Sequence, residues 1–339
     1  MKRYGKLFGR IANSENLLLA YENARDGKRS HKACFEFSRN LGRNLHDLEK
    51  ELVDGNYQPK PCNSFTVFDG RKRRLIEAPS FRDLVVQHAF FNVVGPIFDS
   101  KFIDTNFACR VGKGSHQAAD WLQSAMRKAK ATDWVLHVDV RKFFYSIDRE
   151  VLYSQVERIV KCQQTLNYLK MFMLRDSPTG IPIGNLLSQT YANLCLNSLD
   201  QFCKRTLRVS VYGRYMDDSI MLAPSREIGL YWLVEIEKHL TLLNLEISHS
   251  TLHPVKRGAN FVGFRTWAKV RFIRPHVISS FRRDARRKFI PGVTSRLGHA
   301  KRTASFHYLL TYLKKHHADL YCSLPKSLRP VHCSPTTAP

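Results

Sequence analysis

The chain has 339 residues, 43% hydrophobic and 11% aromatic, which is enough for two or three packed lobes and too apolar for a disordered tail. Its 54 Lys and Arg against 29 Asp and Glu give a net charge of +25, interleaved with Tyr, Phe and Trp, which favours a polyanion such as nucleic acid as partner. It holds no apolar run of about eighteen residues, and its basic start has no long apolar stretch, so neither a membrane span nor a signal peptide is expected.

In chain order, residues 1–60 read as helices of mixed charge. SENLLLAYENARDG has Ser14 as its expected N-cap and stops at Gly27. Residues 63–78, NSFTVFDGRKRRLIEA, read as a β-hairpin turning at Asp69-Gly70, with Arg71, Lys72, Arg73 and Arg74 after the tip. Residues 81–98 form an apolar-periodic helix, and RVGKGSH is a basic glycine-bearing loop leading into a helix over 116–130. WVLHVDV, 134–140, is a short buried strand. Residues 149–174 are largely helical. GIPIG, 180–184, is a loop, and a mostly apolar helix runs from Asn185 to about Lys204.

Two β-rich runs, 209–215 and 219–222, flank Met216-Asp217-Asp218 as a hairpin, and a helix follows over 227–243. LEISHSTLHPV and NFVGFRTW are strand-like. From Lys256 to His316 the only acid is Asp284, which predicts a basic helical lobe, and SPTTAP is expected to fray. The eight scattered cysteines include no C-x-x-C pair and fit buried thiols in a reducing cytoplasm. His316, His317, Cys322, His332 and Cys333 match no standard zinc spacing.

Three acids carry the chemistry. Asp139 lies at the end of a buried strand, and Asp217 and Asp218 sit in a tight turn. A single Asp in a turn is ordinary, but clustered carboxylates are costly to bury unless hard divalent cations neutralise them. Two such ions can activate a 3′-hydroxyl and stabilise a leaving pyrophosphate. An aromatic five residues after Asp139, Phe144, could lie under an incoming sugar and exclude a 2′-hydroxyl. Alternatively, Phe143 and Phe144 are both core.

With these strings in this order, the sequence resembles the reverse transcriptases over residues 57–267. RLIEAPSFRDLVVQHAF and FACRVGKGSHQAA look like the two fingers motifs, and HVDVRKFFYSID looks like the palm motif with the first metal-binding Asp. GIPIGNLLSQ, RYMDD and NFVGFR look like the fourth motif, the fifth motif and the primer-grip side. The resemblance implies an α+β right-hand polymerase with fingers, a ferredoxin-like palm and a helical thumb. Its expected divisions are an N-terminal helical extension at 1–60, fingers at 61–130, palm at 131–267 with a fingers insertion at about 151–185, and a basic thumb and tail at 268–339.

The resemblance also implies roles. Asp139, Asp217 and Asp218, with Val140, hold two Mg²⁺ ions, for which Mn²⁺ is a substitute. Arg74 and Lys72 meet the triphosphate, beside Phe144, Ile183 and Gln189. Arg110, Lys113, Tyr215, Met216, Arg282, Arg283, Arg286 and Arg287 face template and primer. A Lys common in the sixth motif is missing, with His249 and His253 as weak stand-ins.

Within the family, the chain resembles the reverse transcriptases of diversity-generating retroelements. It is short, ends after the thumb, and begins its fourth motif Ile183-Gly184 where most relatives have Gln-Gly. Loss of a buried polar check there implies low fidelity. That subgroup copies a template-repeat RNA into cDNA with errors opposite adenine, for mutagenic retrohoming into a target gene. Its partners are template RNA, primer, dNTPs and a small basic accessory protein, in a bacterial cytoplasm from a bacterial or phage gene. The alternative is a conventional retron or group II-like enzyme. A catalytically silent RNA-binding scaffold is disfavoured because all three acids are present.

Overall fold

The computed structural model describes residues 3–69 and 72–328, the side chains of Asp69 and Lys72 excepted. The hairpin tip Gly70-Arg71, the tail residues His332 and Cys333, and SPTTAP therefore lie outside the described residues, as does the side chain of Lys72.

Helices α1 (Phe8–Ile11), α2 (Ser14–Arg25), α3 (Lys32–Arg39) and α4 (Leu41–Val53) precede the antiparallel hairpin β1 (Asn63–Asp69) and β2 (Lys72–Ala78). Helices α5 (Phe81–Asp99) and α6 (Ser115–Lys128) lead to β3 (Trp134–Val140). Then come α7 (Phe143–Ser146), α8 (Arg149–Glu157), α9 (Gln163–Met171), α10 (Leu186–Cys195) and α11 (Asn197–Gln201). The hairpin β4 (Val211–Tyr215) and β5 (Asp218–Ala223) is followed by α12 (Arg226–Thr241) and β6 (Ile247–Pro254). Strands β7 (Ala259–Phe261), β8 (Phe264–Thr266) and β9 (Arg271–Ile273) precede α13 (Pro275–Arg286), α14 (Ile290–Ala300), α15 (Ser305–His316) and α16 (Ala318–Ser323). The fold is mixed α/β. Among the described residues no helix is long and apolar enough to cross a membrane.

The chain divides into two compact units. The first comprises residues 1–110, 138–208 and 232–250, and the second 111–137, 209–231 and 251–339. In the first, α5 is the central helix, packed by α2 and α10. Tyr57, Phe90, Tyr168 and Phe172 interlock with ring centroids 5.2–6.4 Å apart. Asp83 is buried there, yet it accepts from the Tyr57 hydroxyl at 2.9 Å, the Ser80 hydroxyl at 2.7 Å and the Lys60 amide at 3.0 Å. A buried carboxylate persists because its lone pairs are filled.

The second unit holds the β4–β5 hairpin, in a sheet ordered β4-β5-β3-β6, and the three-stranded sheet β7-β8-β9. Its core gathers Phe264, Ile273, Phe281, Leu297, Leu309 and Leu313. Fully burying such a side chain contributes about 1.5–3 kcal/mol.

Three local expectations change. Asn13, not Ser14, caps α2, because its side chain accepts from the Asn16 amide at 2.8 Å and Ser14 is already helical. The apolar helix expected from Asn185 breaks after Cys195 and ends in a π-helical turn, Phe202–Thr206. Strand β9 occupies a stretch expected to be helical. There Arg271 is buried and Phe272 exposed, which inverts the alternation that marks a strand. Arg271 is tolerated inside because Asp120 accepts from its Nη2 at 2.7 Å and the Arg302 carbonyl at 2.9 Å.

Candidate active site

Each unit presents one set of candidate groups. In the first, Asp139 is half-buried near the end of β3. The Ser248 hydroxyl donates to its carbonyl at 3.2 Å and also to its carboxylate. The following turn is held by the Arg141 amide donating to the Glu246 carbonyl at 2.8 Å, and Lys142 adopts a left-handed conformation, φ 43°. Val140 and Phe143 are buried, whereas Phe144 is half-buried, with its ring edge-on to Phe143 at 5.7 Å. The two aromatics thus divide, one into the core and one towards the surface of the turn.

The loop 180–184 lies between this turn and β2. A Cβ on Gly180 (φ +85°) would meet the Phe144 carbonyl and Tyr145 Cα at 2.8 Å. One on Gly184 (φ +110°) would meet Ile76 Cγ2 at 2.8 Å. Only glycine fits such conformations at such distances. The Ile181 amide donates to the Phe144 carbonyl at 2.9 Å, and the Glu77 amide donates to the Ile183 carbonyl at 2.6 Å. Arg149 straps the loop through the carbonyls of Gly180 at 3.1 Å and Ser177 at 2.7 Å. Asn185 then caps α10, accepting from the Leu187 amide at 3.0 Å, and Gln189 is exposed on that helix. The structure therefore brings Phe144, Ile183 and the strand bearing the exposed Arg74 together in one unit.

Arg110, expected to face template and primer, is engaged with its own loop. Its Nε and Nη2 donate to the two Asp99 carboxylate oxygens at 2.5 and 3.1 Å, and Nη1 donates to the carbonyls of Ile103 at 2.7 Å and Asn106 at 3.0 Å. A guanidinium with five donors in a fixed fork, so occupied and only 10% exposed, ties a loop down and leaves little to offer a phosphate.

In the second unit, β4 and β5 pair with Tyr215 opposite Asp218, which leaves Met216 and Asp217 as the turn. Met216 is left-handed, φ 57°. Arg214 is fully buried, and its Nη1 donates to the Met216 carbonyl at 2.8 Å. Gly213 packs on Trp121, where a Cβ would come within 2.5 Å of the indole. His137 Nε2 faces Asp218 Oδ1 in close contact. Lys113 is half-buried in the glycine-bearing loop before α6. Arg283, Arg286 and Arg287 are exposed on or just after α13. Arg282 is exposed as well, and it donates to the Tyr308 hydroxyl and lies over the Tyr308 and Tyr312 rings at 5.7 and 5.4 Å.

Among the described residues no cluster of three or more His, Cys, Asp and Glu side chains is assembled as a metal centre. The donor chemistry of each set nonetheless suits a hard divalent cation, because the Asp139 carboxylate and Val140 carbonyl of the first unit and the Asp217 and Asp218 carboxylates of the second are all oxygen donors. Asp218 Oδ1 is buried, and its close neighbour is His137 Nε2, without an aligned hydrogen bond between them.

Sequence reasoning missed His137, Ser248, Tyr145 and Arg175. His137 could have been found, since it shares a face of β3 with Asp139 in an otherwise apolar strand.

The sequence profile described as reverse transcriptase (RNA-dependent DNA polymerase) matches residues 61–266. Protein YkfC of Escherichia coli K12 is 23% identical over 206 residues, covering 57% of this chain and 51% of its own. The group II intron-encoded protein LtrA of Lactococcus lactis subsp. cremoris is 26% identical over 169 residues, covering 47% of this chain and 28% of its own. The chain thus spans about half or less of the length of these curated relatives. A solved structure of telomerase from Candida albicans, in complex with a fragment of telomeric RNA, shares the fold with a TM-score of 0.50 at 11% identity, covering 78% of this chain and 55% of that one. With a profile match across more than half its length, the chain belongs to the reverse transcriptase (RNA-dependent DNA polymerase) family.

Proposed function

We propose that the chain is an RNA-directed DNA polymerase that extends a primer with dNTPs on an RNA template, with Asp139, Asp217 and Asp218 as its catalytic carboxylates. The observation that carries this reading is the Tyr-Met-Asp-Asp turn of the β4–β5 hairpin, in a chain of this family. The carboxylates and the Val140 carbonyl would hold two Mg²⁺ ions, which when bound acidify the primer 3′-hydroxyl and neutralise the departing pyrophosphate. Arg74, with Lys72, neutralises the triphosphate. Phe144 excludes a 2′-hydroxyl from below the sugar, and Ile183 and Gln189 border the nascent pair. Tyr215 and Met216 support the primer end, while Lys113, Arg283, Arg286 and Arg287 follow the nucleic-acid backbone. In this reading 1–60 is an N-terminal extension, 61–130 serves as fingers, 131–267 as palm with a fingers insertion at about 151–185, and 268–339 as thumb and C-terminal tail.

The test is cDNA synthesis on an RNA template with Mg²⁺. Asp217→Asn should abolish synthesis while RNA binding persists, and synthesis at the wild-type level by this variant would remove Asp217 from the metal site.

The finer reading is a polymerase of a diversity-generating retroelement, working with a small basic accessory protein. Ile183 in place of a polar residue supports it, because Ile can neither donate nor accept a hydrogen bond beside the pair. The match to LtrA favours the second reading, a conventional group II-like enzyme. Sequencing cDNA from one RNA template separates the two. The first reading expects errors concentrated at template adenines that Ile183→Gln reduces about tenfold, equivalent to about 1.4 kcal/mol of discrimination. The second expects low error independent of the template base.

A further inference from the structure

Strand β2 carries Arg74 and, among the described residues, pairs only with β1 in a two-stranded sheet. Many of the hairpin's side chains face solvent, Phe65, Val67, Phe68 and Leu75 among them. Such a ribbon is marginal alone and takes its position from whatever grips its free edge. On that edge the amides of Leu75 and Glu77 both point away from β1, as alternate residues of an antiparallel pair do. The Glu77 amide meets the Ile183 carbonyl at 2.6 Å. The Leu75 amide, one residue from Arg74, meets the Tyr145 hydroxyl at 3.2 Å.

Tyr145 follows Phe144 directly, so its hydroxyl joins the Arg74 strand to the Phe144 turn. Its ring is held in turn by Arg175, whose guanidinium carbon lies 5.1 Å from the ring centroid. Arg175 Nε is 3.2 Å from Glu77 Oε2, with only 9% and 13% of the two side chains exposed. Three links therefore close a loop: β2 to Tyr145 by a hydrogen bond, Tyr145 to Arg175 by a cation–π interaction, and Arg175 back to β2 by an ion pair. Charge in a desolvated setting makes the last two stronger than their exposed counterparts.

We infer that Tyr145 and Arg175 are positioning residues for the incoming nucleotide, forming a strut that sets the distance between Arg74 and Phe144. This rests on the proposed nucleotide pocket bounded by Arg74, Phe144 and Ile183. Neither side chain touches substrate in this scheme. Both act through the separation of the triphosphate side from the sugar side, so loosening them weakens nucleotide capture and not template binding or the chemical step.

The experiment is single-nucleotide insertion on a fixed RNA template–DNA primer, measuring kcat and KM for the dNTP, the template–primer Kd and the melting temperature. Tyr145→Phe deletes only the hydroxyl and keeps the ring under Arg175. It should raise the dNTP KM about fivefold, the effect of one ordinary hydrogen bond, with kcat and template–primer Kd within about twofold of wild type. Arg175→Gln should raise KM further. Arg175→Lys should recover part of the loss, because it keeps the charge beside Glu77 but not the planar stack. Unchanged dNTP KM in a folded Tyr145→Phe protein overturns the strut, as does a KM rise matched by an equal loss of template–primer affinity. Asp217→Asn run alongside isolates the underlying reading: if it inserts nucleotides as wild type does, the polymerase site is misassigned, whatever Tyr145→Phe does. If it is inactive and Tyr145→Phe is kinetically silent, only the strut is wrong.

Discussion

Arg214 Nη1 donates to the carbonyl of Met216 at 2.8 Å, from a side chain with no solvent exposure. A buried guanidinium thus holds the left-handed residue immediately before Asp217. Replacing it by Met removes the charge but leaves the carbonyl without this donor. Arg214→Met should lower the melting temperature by several degrees, consistent with a destabilisation of about 2–4 kcal/mol. It should also cut primer extension at least tenfold, because the turn loses its geometry. Extension at the wild-type rate would mean that the turn holds its shape unaided.

Phe144 is half-buried where Phe143 is fully buried, so of the two rings Phe144 is the one proposed to meet a sugar. Phe144→Ala should raise the ratio of ribonucleotide to deoxynucleotide insertion by at least tenfold, with little change in stability beyond about 1–2 kcal/mol. Phe143→Ala should do the reverse, destabilising the fold by about 3–4 kcal/mol as a core deletion. An unchanged insertion ratio in Phe144→Ala places the gate elsewhere.

Burial pushes four imidazoles down, those of His88, His116, His239 and His299. His88 falls to about 4, helped by Lys28 nearby. His116 is lowered by burial and by Arg302 and Arg271, and His299 by burial and by His116 and His276. His299 also stacks on Phe264 at 4.2 Å. Each is more easily protonated in the unfolded chain, whose histidines titrate near 6.5. As pH falls below about 6.5 the unfolded state takes up protons first, and stability declines until His88 itself titrates near 4. Urea unfolding at pH 7.5 and 5.5 should show lower stability at 5.5, and His299→Phe should reduce the difference. Equal stability at both pH values contradicts the burial of these rings as neutral species.

Arg283, Arg286, Arg287 and Arg282 are all exposed, and Arg282 also engages Tyr308 and Tyr312. Neutralising the first three should weaken template–primer binding and flatten its salt dependence, by roughly 0.7–0.9 in log–log slope for each phosphate that an arginine no longer neutralises. Arg282→Ala should mainly lower stability, because its stem and guanidinium no longer cover the two rings. The readout is Kd from about 50 to 200 mM salt, and an unchanged slope in the triple variant removes this face from the nucleic-acid path.

Much of the local architecture was legible in the sequence, because local rules write periodic patterns. The alternation in 63–78 and the turn in Tyr-Met-Asp-Asp mark hairpins that the structure contains. The glycines of GIPIG mark a loop whose left-handed conformations exclude a Cβ. What the sequence could not decide was the partner of each charge. Arg110 and Lys113 look alike in RVGKGSH, yet Arg110 is bound to Asp99 and faces inward. Arg271 reads as a surface base until Asp120, 151 residues away, accepts a hydrogen bond from its buried guanidinium. Tyr145 reads as one more aromatic in KFFYSI until its hydroxyl meets an amide 70 residues earlier. Hydrophobic periodicity reflects which face of an element is dry, and it is set by neighbours along the chain. Ion pairs and side-chain hydrogen bonds between distant residues leave no such trace, so only the tertiary structure could assign them.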